Sequence, residues 1–353
     1  MTLRPSLPTL LALGLAAGLT SGLTSGCADD LGQTSHELID YGTTPLQLSW
    51  MKASHNTYQA GHHLGGLLSV LGPYTHHVEL DLRDTSSAAP GGAYVGNWVV
   101  AHDSGASSAT SACPGGITFA HCLAELAAWH QQDPWHPLLT VWIDKKQAWQ
   151  NLNASASARS PWRLDDLIGS YFSDSAVLRP AEVAAGYSLR SIVETSGWPS
   201  HLGLRGRVMF ILTSDAGCTG NDRLEAYVDS RGVLARAFIA PSGESASYVT
   251  SAPNCFDAAS TQWAAIYNFE WRSGSGTGVD ECNAGTCYQI PTAHARNYLT
   301  RVWDIDDAGE SDAASERPWG GSYGHANFIA VDYPWQQGGA GGYGAFPDGI
   351  YPW

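Results

Sequence analysis

The sequence predicts an α/β protein folded as a parallel (β/α)8 barrel of the TIM type, in a regular or an irregular version. Three observations lead there. Short, continuous apolar runs recur along the chain, at Leu46–Ala53, His77–Leu82, Asn97–Ala101, Leu138–Ile143, Val208–Leu212, Trp263–Phe269, Leu299–Trp303 and Phe328–Val331. Such runs are typical of strands buried on both faces. Amphipathic or irregular stretches lie between them, and ionisable residues come after the first four runs, where barrel enzymes keep their chemistry.

The crossovers support the alternation. Phe119–His130 places Leu123, Leu126 and Ala127 on one side of a helix, Leu164–Phe172 and Arg223–Val228 behave similarly, and Ala293–Tyr298 is a shorter case. Neither a repeat nor a linker interrupts residues 46–353, so they read as one catalytic barrel domain.

Composition narrows the class. Only 14% of the 353 residues are charged, 44% are hydrophobic and 39 are glycine, a mix that suits a loop-rich exported enzyme. The formal net charge of -15 repels nucleic-acid backbones, and there is no basic run to overcome it, so no nucleic-acid partner is expected. The 14 Trp and 15 Tyr fit barrel core and loop anchors before they fit a carbohydrate- or lipid-facing surface.

Residues 1–26 read as a signal peptide. Arg4 supplies a positive start, Leu10 to Leu23 is apolar, and the segment is too short and too rich in Gly and Ser for a membrane span. It ends in Leu23-Thr24-Ser25-Gly26-Cys27, which resembles a lipoprotein cleavage box with Leu one place early. Residues 27–45 then form a polar tether, and the protein is expected in the cell envelope as a lipoprotein, or secreted, and as a monomer. With Cys27 lipidated, six cysteines remain, an even set that reads as disulfides in an oxidising compartment. Sequence neighbours suggest Cys113–Cys122, Cys218–Cys255 and Cys282–Cys287 among the 15 possible connectivities of six cysteines. No paired CxxC spacing points to zinc.

The ionisable residues at the ends of these runs carry the chemistry. Ser54-His55-Asn56-Thr57-Tyr58 closes the first, Glu79-Leu80-Asp81-Leu82-Arg83-Asp84 spans the second, His102-Asp103-Ser104-Gly105 comes after the third and Asp144-Lys145-Lys146 after the fourth. Glu79 and Asp81, two apart on a strand, share a face, and Arg83 shares their parity. Two carboxylates facing one interior are costly without a cation or donors. With Asn56 and Asp144 they make an all-oxygen set, suited to calcium or magnesium rather than zinc. His55 and His102 are left for acid–base work near neutral pH. A single His or Asp at a strand end is more often structural; the ordered occurrence of one group per strand is the specific signal.

These segments resemble a known family. Ser54-His55-Asn56-Thr57-Tyr58, Val78-Glu79-Leu80-Asp81 and the His102 segment look like the three signatures of the phosphoinositide phospholipase C catalytic barrel. Ser188-Leu189-Arg190, Gly197-Trp198-Pro199, Leu204-Arg205-Gly206-Arg207-Val208 and Val331-Asp332-Tyr333-Pro334 are similar to its bacterial calcium-dependent branch. The resemblance implies that His55 contacts the phosphoryl group, that His102 protonates the leaving alcohol, and that Asn56, Glu79 and Asp81 ligate one calcium ion. Asp144 stands where the family usually has Glu. A metal-independent branch carries Asp-Ile-Arg where this chain has Asp81-Leu82-Arg83, but it lacks the equivalents of Asn56, Glu79 and Asp144. Arg83, Lys146 and Arg301 are candidate phosphate contacts; the plainer reading of Arg301 is a salt bridge within the barrel, and of Lys146 a solvated lysine.

The implied reaction is attack of an inositol 2-hydroxyl on phosphorus, releasing diacylglycerol and a cyclic inositol phosphate, with Glu79 or Asp144 as base. The partners would be a phosphoinositide or related phosphodiester and a membrane surface, touched transiently or through the lipid anchor. Two alternatives remain: a glycerophosphodiester phosphodiesterase, which usually has Arg where Asn56 stands, and a surface binding protein that keeps the barrel without catalysis.

Overall fold

The computed structural model describes residues 41–59, 61–84, 97–102, 113, 117–153, 159–214, 218–242, 246–251, 256–271, 281–282, 289–303, 326–335 and 351–352. All belong to the unit Asp40–Trp353. Eleven strands are present among them: β1 Ser49–Ser54, β2 His77–Arg83, β3 Val99–Val100, β4 Leu139–Lys145, β5 Val208–Thr213, β6 Ala237–Ile239, β7 Ile266–Trp271, β8 Glu281–Cys282, β9 Leu299–Trp303, β10 Phe328–Val331 and β11 Tyr351–Pro352. They form two runs, β3-β2-β4-β5-β6 and β11-β1-β10-β9-β7-β8. Every pairing is parallel except β1–β11 and β2–β3.

The runs meet on one side through a parallel bridge between Ser242 and Asn268, with Asn268 N donating to Pro241 O at 3.1 Å. On the other side β1 faces β2 without a backbone ladder among the described residues. Side chains cross that seam instead: Thr75 Oγ1 donates to Lys52 O at 2.7 Å, and Thr57 Oγ1 and Glu79 Oε2 accept from Glu79 N and Asn56 N, each at 3.0 Å. The result is a parallel α/β barrel of the irregular kind, its ladder interrupted between the first two strands.

Seven of the eight expected runs supply barrel strands, with shifted ends. β2, β4 and β5 are buried on both faces, as parallel strands covered by helices must be. The first run begins with a 3-10 turn at Leu46–Leu48, and the sixth starts three residues late, at Ile266. The third run is a correction. Val99 and Val100 pair antiparallel with Arg83 and Leu82, and Val99 and Ala101 pack with Ile117 in a small cluster apart from the main core. The missing barrel strand is β6, too short at three residues to show a periodicity.

Helices α1 Phe119–Gln132, α2 Pro161–Tyr171, α3 Pro180–Ala184, α4 Leu189–Ser196, α5 Cys218–Arg231, α6 Ala246–Thr250, α7 Ala258–Thr261 and α8 Gln289–His294 fill the crossovers. In α1 the buried residues Phe119, Cys122, Leu123, Leu126 and Ala127 repeat at helical spacing, and Thr118 with His121 makes a reciprocal cap. Ser160 and Ser188 cap α2 and α4 by accepting from Arg163 N and Ser191 N. The fourth expected helix is displaced: α8 ends at His294, and Asn297 takes a left-handed conformation (φ 59°) to lead into β9. Cys113 and Cys122 are disulfide-bonded, which joins the segment after β3 to α1. Cys27, Cys255 and Cys287, and with them the other two suggested pairs and the signal peptide, lie outside the described residues.

Candidate active site

Register places the carboxylates. In the β2–β4 ladder Glu79 lies beside Trp142 and Asp81 beside Asp144, and paired residues of parallel neighbours face the same way. Lys146 N donates to Leu82 O at 3.1 Å, extending the ladder past Lys145, and alternation returns Lys146 to the face of Asp144. Glu79, Asp81 and Asp144 each offer an oxygen, and these oxygens lie within 4.8 Å of one another.

Each carboxylate has a different counter-charge. Glu79 Oε2 accepts from Asn56 N at 3.0 Å and from Arg301 Nη2 at 2.7 Å. Arg301 is fully buried, with Nη1 on Asn268 Oδ1 at 3.0 Å and its guanidinium 5.0 Å from the Trp142 ring centroid. Burial alone would raise the Glu79 pKa, but Arg301, His55 and the Asn56 amide bring it below the ordinary value. Asp81 goes the other way, pushed up to about 8 by burial and then by Asp144, against the pull of Lys146. Lys146 Nζ stands 2.9 Å from Asp81 Oδ2 and 2.5 Å from Asp144 Oδ2. Burial would lower the Lys146 pKa, and the two aspartates raise it instead.

The residue set suits a hard cation. Asp81 Oδ1 and Asp144 Oδ1 are buried with no hydrogen-bond partner among the described residues, and orphaned buried carboxylate oxygens are rare without a compensating charge. All the candidate donor atoms are oxygens, the chemistry of calcium or magnesium. Asn56, left-handed at φ 47°, has its Oδ1 held by Tyr58 Oη at 3.0 Å.

His55 succeeds β1 and is tied to the end of β10, its N–H donating to Val331 O at 2.9 Å. Nδ1 lies 2.7 Å from Asp332 Oδ1, so it carries the proton and the carboxylate accepts it. Nε2 lies 3.2 Å from Asn56 Nδ2 and 3.9 Å from Glu79 Oε2, and the ring packs 5.2 Å from Trp303. Burial would depress the His55 pKa, but Glu79 and Asp332 outweigh it and the net shift is upward. His62 approaches the same Asp332 oxygen at 3.4 Å and stacks edge-on against Tyr333.

The structure thus joins His55, Asn56, Glu79, Asp81, Asp144, Lys146 and Arg301 into one connected group. His102 lies just past β3, whose antiparallel course runs back along β2: Ala101 N donates to Asp81 O at 3.1 Å, and Arg83 Nε donates to His102 O at 2.6 Å. Arg83 therefore braces the backbone of His102, and Arg301 makes the barrel salt bridge. Asp332 and Tyr58, which hold His55 and Asn56, were not among the residues expected from the sequence. Asp332 was findable, because it succeeds the last apolar run as Asp144 succeeds the fourth.

Comparison with known proteins agrees in direction. Residues 109–259 match the family model described as phosphoinositide phospholipase C, calcium-dependent. That stretch includes Asp144 and Lys146 but not the candidates on β1, β2, β9 and β10. A search of the solved structures finds a calcium-dependent phosphoinositol-specific phospholipase C from Pseudomonas sp., described as a myoinositol complex. It is 23% identical, with a TM-score of 0.69 over 89% of this chain and 97% of that one. A calcium-dependent phosphatidylinositol-specific phospholipase C from Streptomyces antibioticus is 21% identical, with a TM-score of 0.62 over 88% of this chain and 99% of that one. No curated protein matches the chain.

Proposed function

We propose that the chain is a calcium-dependent phosphoinositide phospholipase C, a reading supported by the family match over residues 109–259, and that it cleaves phosphatidylinositol-type phosphodiesters to diacylglycerol and inositol phosphate, cyclic at first. The observation that carries the reading is the group of three carboxylates, two with buried oxygens that have no hydrogen-bond partner among the described residues, next to a histidine held by a carboxylate of its own.

Asn56, Glu79, Asp81 and Asp144 are the proposed cation ligands. Calcium bound there supplies a Lewis acid that makes the inositol 2-hydroxyl more acidic and neutralises charge on the phosphoryl oxygens. Asp332 fixes the His55 proton on Nδ1 and supports a positive imidazole, which leaves Nε2 for the phosphoryl group. His102 is the proposed proton donor to the leaving alcohol, on a backbone held by Arg83. Glu79 is a weak base beside Arg301, which favours Asp144 for accepting the hydroxyl proton. Lys146, 14% exposed, is the proposed phosphate contact ahead of the fully buried Arg301.

We infer in addition that the protein is exported as a monomer, by a signal peptide over residues 1–26 and an anchor at Cys27, with residues 46–353 as the catalytic barrel. The Cys113–Cys122 disulfide supports an oxidising compartment. A panel of phosphatidylinositol, glycerophosphoinositol and glycerophosphocholine, each with calcium and with chelator, tests the reaction. Calcium-dependent release of diacylglycerol from the first is expected. Preference for glycerophosphocholine would move the chain to the glycerophosphodiester alternative, and no turnover of any substrate would leave a binding protein.

A further inference from the structure

Lys146 rests on the two aspartates that would hold the cation. Its Nζ contacts Oδ2 of both, and the unpartnered Oδ1 atoms belong to the same two residues. The backbone keeps it there, because the Lys146 N–H is bonded to Leu82 O and its side chain shares the face of Asp144. The other basic residue of the group is placed differently. Arg301 engages Glu79 from a fully buried position, fixed by Asn268 and Trp142. Lys146 keeps contact with solvent, and its ammonium sits on a flexible four-carbon stem that allows it to move.

We propose that Lys146 is an internal competitor for the divalent cation: its ammonium neutralises Asp81 and Asp144 and sets how tightly the cation is held. The inference rests on the calcium-site reading above and adds to it a residue that opposes binding. The effect is electrostatic. A positive charge in contact with two carboxylates weakens their attraction for a second cation and repels that cation directly. The same ammonium keeps the buried Asp81 and the partly buried Asp144 from standing uncompensated, so the fold gains from it when no calcium is present.

Calorimetric calcium titration of the full chain at pH 8 tests this, with Lys146→Met, Lys146→Arg and Asp81→Asn alongside wild type. Lys146→Met is expected to bind calcium about tenfold tighter, a difference of about 1.4 kcal/mol, and Lys146→Arg to stay near wild type. Thermal melts give an independent reading: Lys146→Met should melt lower than wild type in chelator and gain more from added calcium. Lys146→Gln replaces the Met variant if that fails to fold without calcium, and it must bind tighter than wild type too. Calcium binding by Lys146→Met that is equal to or weaker than wild type overturns the inference while leaving the site intact. If wild type and Lys146→Met both fail to bind calcium, and Asp81→Asn behaves like wild type, the calcium-site reading itself falls.

Discussion

His55 and Asp332 lie one step beyond the paired residues Ser54 and Val331 of β1 and β10, and their side chains meet at 2.7 Å. Two adjacent parallel strands therefore deliver a histidine and its orienting carboxylate in register. The carboxylate fixes which ring nitrogen carries the proton and stabilises the charged ring, the same logic by which a buried Asp serves the histidine of a hydrolase triad. Asp332→Asn is expected to lower kcat by about 10²-fold or more. Calcium affinity should be unchanged, since Asp332 is not a proposed ligand. A rate close to wild type would remove Asp332 from the machinery.

His102 has a different signature. As the proposed proton donor to the leaving alcohol, it should matter most where the leaving group is poor. His102→Ala is expected to reduce turnover of phosphatidylinositol by about 10²–10⁴-fold and to spare aryl phosphodiesters in part. His55→Ala should harm both substrate types alike, because its proposed contact is with the phosphoryl group rather than the leaving group. Equal losses on both substrates for His102→Ala would contradict the assignment.

His201 should contribute a loss of stability in mild acid that is separate from the active site. His201 is buried, with Nε2 donating to Ser49 Oγ at 2.7 Å, and burial lowers its pKa from 6.5 to about 4. His77 and His136 are lowered by burial too. The unfolded chain takes up protons below pH 6.5 that the folded chain refuses, so this stability is present above pH 6.5 and is lost as pH falls toward 4. For His201 alone the loss is at most about 3 kcal/mol. Urea unfolding of wild type and His201→Gln at pH 7.5, 6 and 5 checks it, with a shallower pH dependence expected for the variant. Identical pH dependence would exclude His201 as a contributor.

Much of the barrel was legible in the sequence because both faces of its strands are buried, so a run such as Val208–Leu212 needs no periodicity to be seen. The same property misled at one run, and one strand was too short to see. Asn97–Ala101 is as apolar as a barrel strand, yet only Val99 and Val100 pair, antiparallel, on β2. β6 has three residues and leaves no pattern. The carboxylates were legible from Glu79-x-Asp81, because strand alternation puts them on one face. Their counter-charges were not, because Glu79 and Arg301 are 222 residues apart and only the folding of β2 and β9 around one interior brings them together. Lys146 was readable as a basic residue near the site, but its place on Asp81 and Asp144 depends on the β2–β4 register.

Asn56, Glu79, Asp81 and Asp144 are proposed to hold the calcium ion on which cleavage of an inositol phosphodiester would depend. Phosphorus NMR of phosphatidylinositol in mixed micelles tests this most directly, tracked over time with calcium, with chelator, and with calcium restored. The expected result is a cyclic inositol phosphate resonance that grows with calcium, stops with chelator and resumes on restoration, and that Asp81→Asn does not produce. Undiminished growth of that resonance in chelator, or with Asp81→Asn, would rule out calcium at this site as the driver of cleavage.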